Sequence, residues 1–134
     1  MYRVGIKRQF SCSHYLVGDF DEESRPHSHV YTVQWSCSSG GLDENGFSVD
    51  ISLLEATLET ILCRVAGKLL NDFPFFQDKQ TSVEYFAVFL YDQLVGKLEE
   101  SGFDLKRVQG TEIKIWESDS AWASYKPSGD QSFI

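Results

Sequence analysis

Residues 27–38 read HSHVYTVQWSCS. Val30, Tyr31, Thr32, Val33 and Trp35 are the β-branched and aromatic types that fit a pleated sheet, so a strand is expected over 29–38, entered by His27. Upstream, residues 2–17 are rich in Tyr, Val, Ile and Phe with partial alternation, and read as another extended segment. Between the two, GDFDEESRP (18–26) is acidic, holds Gly and Pro, and reads as a loop. Downstream, SGGLDENG (39–46) is a turn, and FSVDI after it is expected to add a short strand.

Two helices follow. Ser52 with Glu55 three residues later has the pattern of a capping box, and Leu54, Leu58, Ile61, Leu62, Val65 and Leu69 recur behind it at helical spacing. NDFPFFQDKQ (71–80) breaks that helix at Pro74. Thr81 with Glu84 marks a second start, Phe86, Leu90, Leu94 and Leu98 mark the buried side, and Gly102 ends it. Residues 108–117, with Val108, Ile113, Ile115 and Trp116, read as a strand, and AWASY (121–125) as a short last one after a turn at 118–120. The order is strand pair, two helices, strand pair. Both pairs have short connections and can be antiparallel hairpins, which predicts an α+β fold with two helices on one face of a four-stranded sheet (ββααββ).

The chain has 134 residues, enough for one domain, and no internal linker is visible. Its 42% hydrophobic and 24% charged content is that of an ordinary globule. A formal net charge of −8 repels phosphate backbones and anionic lipids, which argues against nucleic acid as a partner. An anionic substrate would need a local basic patch, to which Arg3, Lys7, Arg8 and Arg25 are candidate contributors. The cysteines Cys12, Cys37 and Cys63 are odd in number, far apart and without a CxxC pair, so they suggest reduced thiols rather than a disulfide framework or thiolate metal site. No apolar h-region opens the chain and no run reaches membrane-spanning length, so a cytoplasmic location and no membrane partner are expected.

All three histidines, His14, His27 and His29, lie in the first 29 residues. Side chains two apart on a strand share a face, so His27 and His29 can aim at one ion. His14 stands at the end of the preceding strand, and its ring reaches that face if the two strands pair across the loop. Three neutral imidazoles with an open fourth position are the arrangement of a catalytic Zn2+ site. A single HxH pair also arises by chance, so spacing alone leaves both readings standing.

The order of motifs resembles one family. Phe10-Ser11-Cys12-Ser13-His14 is similar to the FxAxH opening of the 6-pyruvoyltetrahydropterin and 6-carboxytetrahydropterin synthases. His27-Ser28-His29-Val30-Tyr31 resembles their His-Gly-His-x-Tyr/Phe, and Gly46-Phe47-Ser48-Val49-Asp50-Ile51 their Gly-x-x-x-Asp-Phe. Leu69-Leu70-Asn71 resembles the Leu-Asn after their first helix, and Ser82-Val83-Glu84-Tyr85-Phe86-Ala87 their Thr-Ser-Glu-Asn-x-Ala. Ile115-Trp116-Glu117, followed by Ala123-Ser124-Tyr125, resembles their terminal strands. The resemblance spans nearly the whole chain. It implies the tunnelling fold, a homo-oligomer of trimers or hexamers with sites between subunits, zinc on His14, His27 and His29, and a small pterin substrate anchored by Glu117. One carboxylate there can accept two parallel N–H bonds from the amino-pyrimidinone edge of the ring. Ser82 and Glu84 are implied as further substrate contacts, although a capping box alone also accounts for Glu84.

The chain departs from the family at its proton-transfer groups. The family's base cysteine lies four or six residues before the paired histidines, where this chain has Glu23 and Asp21. The Asp-His pair expected just before Leu69-Leu70-Asn71 is replaced by alanine and glycine at Ala66 and Gly67. Glu23 is the candidate catalytic replacement for the base; the competing reading makes it one of four solvated acids beside Asp19, Asp21 and Glu22. The expected function is a zinc-dependent pterin-synthase-like lyase acting on dihydroneopterin triphosphate or a relative, of atypical or reduced activity. The alternative is a non-catalytic pterin- or purine-binding homologue that kept the metal and ring-anchor sites. A third possibility is altered chemistry on another heterocycle.

Overall fold

In the computed structural model, which describes residues 1–127, four antiparallel strands form one sheet in the order β1-β2-β3-β4. These are β1 (Tyr2–His14), β2 (His27–Ser39), β3 (Gly110–Trp116) and β4 (Trp122–Tyr125). Helices α1 (Ile51–Val65) and α2 (Val83–Glu100) lie between β2 and β3 in the chain, so the order is the expected ββααββ.

The period-2 alternation of the strands decides which face the helices cover. Ile6, Phe10 and Cys12 of β1, Tyr31, Val33, Trp35 and Cys37 of β2, and Ile113 and Ile115 of β3 are buried. They pack against Leu54, Leu58 and Ile61 of α1 and Phe86, Leu90, Leu94 and Leu98 of α2. Trp35 lies at the centre, fully buried, and its indole N–H donates to Thr111 Oγ1 at 2.7 Å, so its one polar atom is satisfied within the core. The register Phe10↔Tyr31, Cys12↔His29 and His14↔His27 carries this face to the end of the β1–β2 pair. There the apolar residues give way to histidine.

Several local expectations are corrected. The N-cap of α1 is Asp50, whose carboxylate accepts from Ser52 N–H at 2.9 Å; Ser52 is the capped residue rather than the cap. Glu55 is drawn to Arg8 at 2.6 Å instead of closing a capping box. The N-cap of α2 is Ser82, which accepts from Tyr85 N–H at 3.2 Å, so Thr81 is released for another use. Leu69 keeps the helical spacing but lies outside α1, which ends at Val65; Gly67 then turns the chain at φ 75°. Residues 47–50 form no strand, because Asp43 folds the turn back on itself through bonds to Asn45 and Phe47. The strand expected over 108–117 begins at Gly110, and β1 ends at His14 rather than at residue 17.

The cations named as a possible basic patch are mostly matched to carboxylates. Arg3 pairs with Glu112, Arg8 with Glu55 and Glu59, and Arg25 with Glu22 at 3.7 Å. Lys7 stands 4.7 Å from the ring centre of Trp116. No helix among the described residues is long and apolar enough to cross a membrane.

Candidate metal centre

His14 and His27 are direct cross-strand partners, and His29 lies two residues further along β2 on the same face. Their ring centres are 4.5 Å (His14–His27), 4.9 Å (His27–His29) and 5.2 Å (His14–His29) apart, with interplanar angles of 59–85°. The rings are therefore set at steep angles to one another rather than stacked. His14 is almost fully buried, and the other two are about three-quarters buried.

Hydrogen bonds behind two of the rings fix which nitrogen faces inward. His14 Nδ1 lies 2.9 Å from the Thr81 carbonyl, and His27 Nδ1 lies 2.7 Å from the Arg25 carbonyl. A carbonyl only accepts, so both Nδ1 atoms carry the proton and both Nε2 atoms present lone pairs. The Nε2 atoms of His14, His27 and His29 are all buried, and none has a hydrogen-bond partner among the described residues. Burial lowers the pKa of His14, the neighbouring histidines add to that, and the Thr81 carbonyl opposes it, so this ring is held neutral.

Two carboxylates approach the inward nitrogens. Glu23 Oε2 lies 3.1 Å from His27 Nε2, and Glu117 Oε1 lies 3.0 Å from His29 Nε2. Neither contact has hydrogen-bond geometry. At His27, where Nε2 presents a lone pair, a carboxylate at this distance is unfavourable unless a cation lies between or beside the two. Donor atoms of His14, Glu23, His27 and His29 all lie within 4.8 Å of one another. Three orphaned imidazole nitrogens with nearby carboxylate oxygen suit zinc or a similar divalent transition ion, so the residues fit the metal expected from the sequence.

The surrounding chain holds this arrangement in place. Where β1 leaves β2, two amide side chains substitute for a strand partner. Asn71 accepts from Tyr15 N–H and donates to Tyr15 C=O, both at 3.0 Å, and Gln80 does the same for Val17 at 2.7 and 3.1 Å. Thr81 donates its hydroxyl to the Tyr15 carbonyl at 2.9 Å while lying 3.1 Å from His14 Nδ1. Leu16 N–H donates to the Glu23 carbonyl at 2.8 Å, which ties the acidic loop back beside His14. Within that loop the Ser24 hydroxyl donates to Gly18 C=O and accepts from Phe20 N–H.

The sequence-derived residues thus separate into two groups. His14, His27, His29, Glu23 and Glu117 are brought together. Ser82 spends its hydroxyl on the α2 cap, and Glu84 is exposed in the first turn of that helix. Sequence reasoning missed the supporting roles of Thr81 and Gln80. Thr81 with Glu84 has the spacing of a cap, and no spacing signal distinguishes a cap threonine from one facing a histidine. Gly67 passes β1 as backbone, donating its N–H to Ser11 C=O at 2.8 Å.

Comparison with known proteins places this geometry in context. The family model described as 6-pyruvoyl tetrahydropterin synthase matches residues 3–128. No curated protein matches the chain. The 6-pyruvoyl tetrahydropterin synthase of Caenorhabditis elegans shares its fold with a TM-score of 0.76 at 20% identity, over 96% of this chain and 98% of that one. That of Plasmodium falciparum gives 0.76 at 19% identity, over 94% and 97%. A Plasmodium vivax 6-pyruvoyltetrahydropterin synthase gives 0.73 at 16% identity, over 94% and 97%; it is a catalytic-residue mutant with alanine in place of glutamate.

Proposed function

The chain belongs to the 6-pyruvoyl tetrahydropterin synthase family, and from that premise we propose that it is a zinc-dependent lyase acting on dihydroneopterin triphosphate or a related pterin. The observation that carries this reading is the set of three buried imidazole Nε2 atoms, converging and unpaired, on the helix-covered face. His14, His27 and His29 hold the ion. Zinc bound there supplies Lewis acidity toward side-chain oxygens of the substrate, lowering their pKa.

The remaining roles fall to the chain's own groups. Glu117 follows β3 directly, and its carboxylate can accept two parallel N–H bonds from the pterin edge while its other contact is to His29. Glu23 is the base, taking the proton that the cysteine of other family members takes. Its carboxylate reaches the histidines while remaining half exposed, which leaves it free to turn. That a glutamate is the catalytic residue replaced in the Plasmodium vivax relative supports this assignment. Ser82 and Glu84, at the start of α2, contribute outer contacts to the substrate. The protein works in the cytoplasm as a homo-oligomer, a trimer or hexamer, with one pterin-synthase-like domain per chain.

Incubation of zinc-loaded protein with dihydroneopterin triphosphate, followed by mass spectrometry, tests the proposal. A pterin product that disappears in Glu23→Ala supports it. Tight pterin binding with no turnover, unchanged by Glu23→Ala, replaces it with the binding-protein reading, which the alanine and glycine at Ala66 and Gly67 favour.

A further inference from the structure

We propose that Glu23 is a fourth ligand of the metal in the substrate-free protein, closing the position that three histidines leave open; this rests on the zinc reading above. The distances distinguish it from the other carboxylate. Four donors at zinc-ligand bond lengths of about 2.0–2.1 Å in a tetrahedron are separated by about 3.3 Å. Glu23 Oε2 is 3.1 Å from His27 Nε2 and belongs to the four-residue set whose donor atoms all lie within 4.8 Å of one another. Glu117 touches His29 but is not part of that convergence.

The loop supports the assignment through its backbone. Asp21 adopts φ 55°, a left-handed conformation that aspartate tolerates better than most residues, and it opens the single helical turn Asp21–Ser24. The Leu16–Glu23 backbone bond then fixes Glu23 two residues from the His14 strand end. A solvated acidic loop needs none of these ties. The Glu23 side chain is nonetheless about half exposed, so it can leave the site without disturbing the core.

Two roles for one carboxylate follow in succession. In the substrate-free protein Glu23 would hold the fourth place. A substrate oxygen bound at that place would take over from the Glu23 carboxylate, one oxygen donor for another, with no substrate bond broken and no electron transferred. Released from that place, the carboxylate would lie beside the substrate, where a base is required.

The test uses cobalt(II) in place of zinc in the full chain, without substrate, in wild type, Glu23→Gln and Glu117→Gln. The expected result is a changed visible d–d spectrum and at least roughly tenfold weaker metal affinity for Glu23→Gln. Glu117→Gln should keep the wild-type spectrum. Wild-type spectrum and affinity in Glu23→Gln would overturn the inference while leaving the three-histidine site intact. A wild-type protein that binds no cobalt would overturn both.

Discussion

Replacing Asn71 by aspartate tests the link between the fold and the metal centre. The side-chain amide of Asn71 holds both backbone groups of Tyr15, the residue after His14, at 3.0 Å each. Aspartate has the same shape and keeps the acceptor for Tyr15 N–H. It loses the donor to Tyr15 C=O, worth about 1 kcal/mol. It also places a charged oxygen about 3 Å from the carbonyl oxygen and about 4 Å from its carbon. At an effective dielectric of about 20, that ion–dipole clash adds about 0.8 kcal/mol. The Tyr15 carbonyl keeps its bond from Thr81, so no orphan is created there. The expected loss at pH 7 is therefore about 2 kcal/mol, read in urea unfolding of the metal-free proteins as a midpoint lower by about 1 M with unchanged slope. Protonation restores the donor, so the introduced carboxyl has a raised pKa in the folded state. Its penalty is full above that pKa and shrinks as pH falls, to about half or less at pH 4.5. A midpoint shift below about 0.2 M, or a deficit independent of pH, would refute the clamp.

Glu117→Gln should weaken pterin binding by about 1.5–3 kcal/mol, or about 10- to 150-fold, measured by calorimetry on zinc-loaded protein. Asp50→Ala should cost about 1 kcal/mol in chemical unfolding and Ser52→Ala almost nothing; the reverse ranking would restore the capping box at Ser52. Burial holds the His14 pKa below its usual value, so protonating this ring opposes folding. The metal-free protein should lose stability as pH falls from about 6.5 through the lowered value, and a melting series should show that slope flattened in His14→Gln.

Much of this architecture was legible because it follows from periodicity. The apolar stripes of α1 and α2 and the alternation around Trp35 each bury one face, and parity alone puts His27 and His29 on one side. The sequence leaves His14 within reach of that side if the two strands pair, and the register His14↔His27 is the structure's own contribution. Helix starts were less legible. Asp50 and Ser52, or Thr81 and Ser82, offer equivalent cap chemistry, and only the backbone angles choose between them. Leu69 kept helical spacing after Gly67 had already turned the chain. The position of Glu23 was hidden because it depends on the left-handed Asp21 and a backbone bond to Leu16, and neither leaves a mark in residue spacing.

Elemental analysis of the protein purified without chelators measures the central claim directly. Wild type should carry about one zinc per chain, and His14→Ala, His27→Ala and His29→Ala should each lose most of it while remaining folded. A wild-type protein free of transition metal, or alanine variants that keep the wild-type zinc content, would contradict the account.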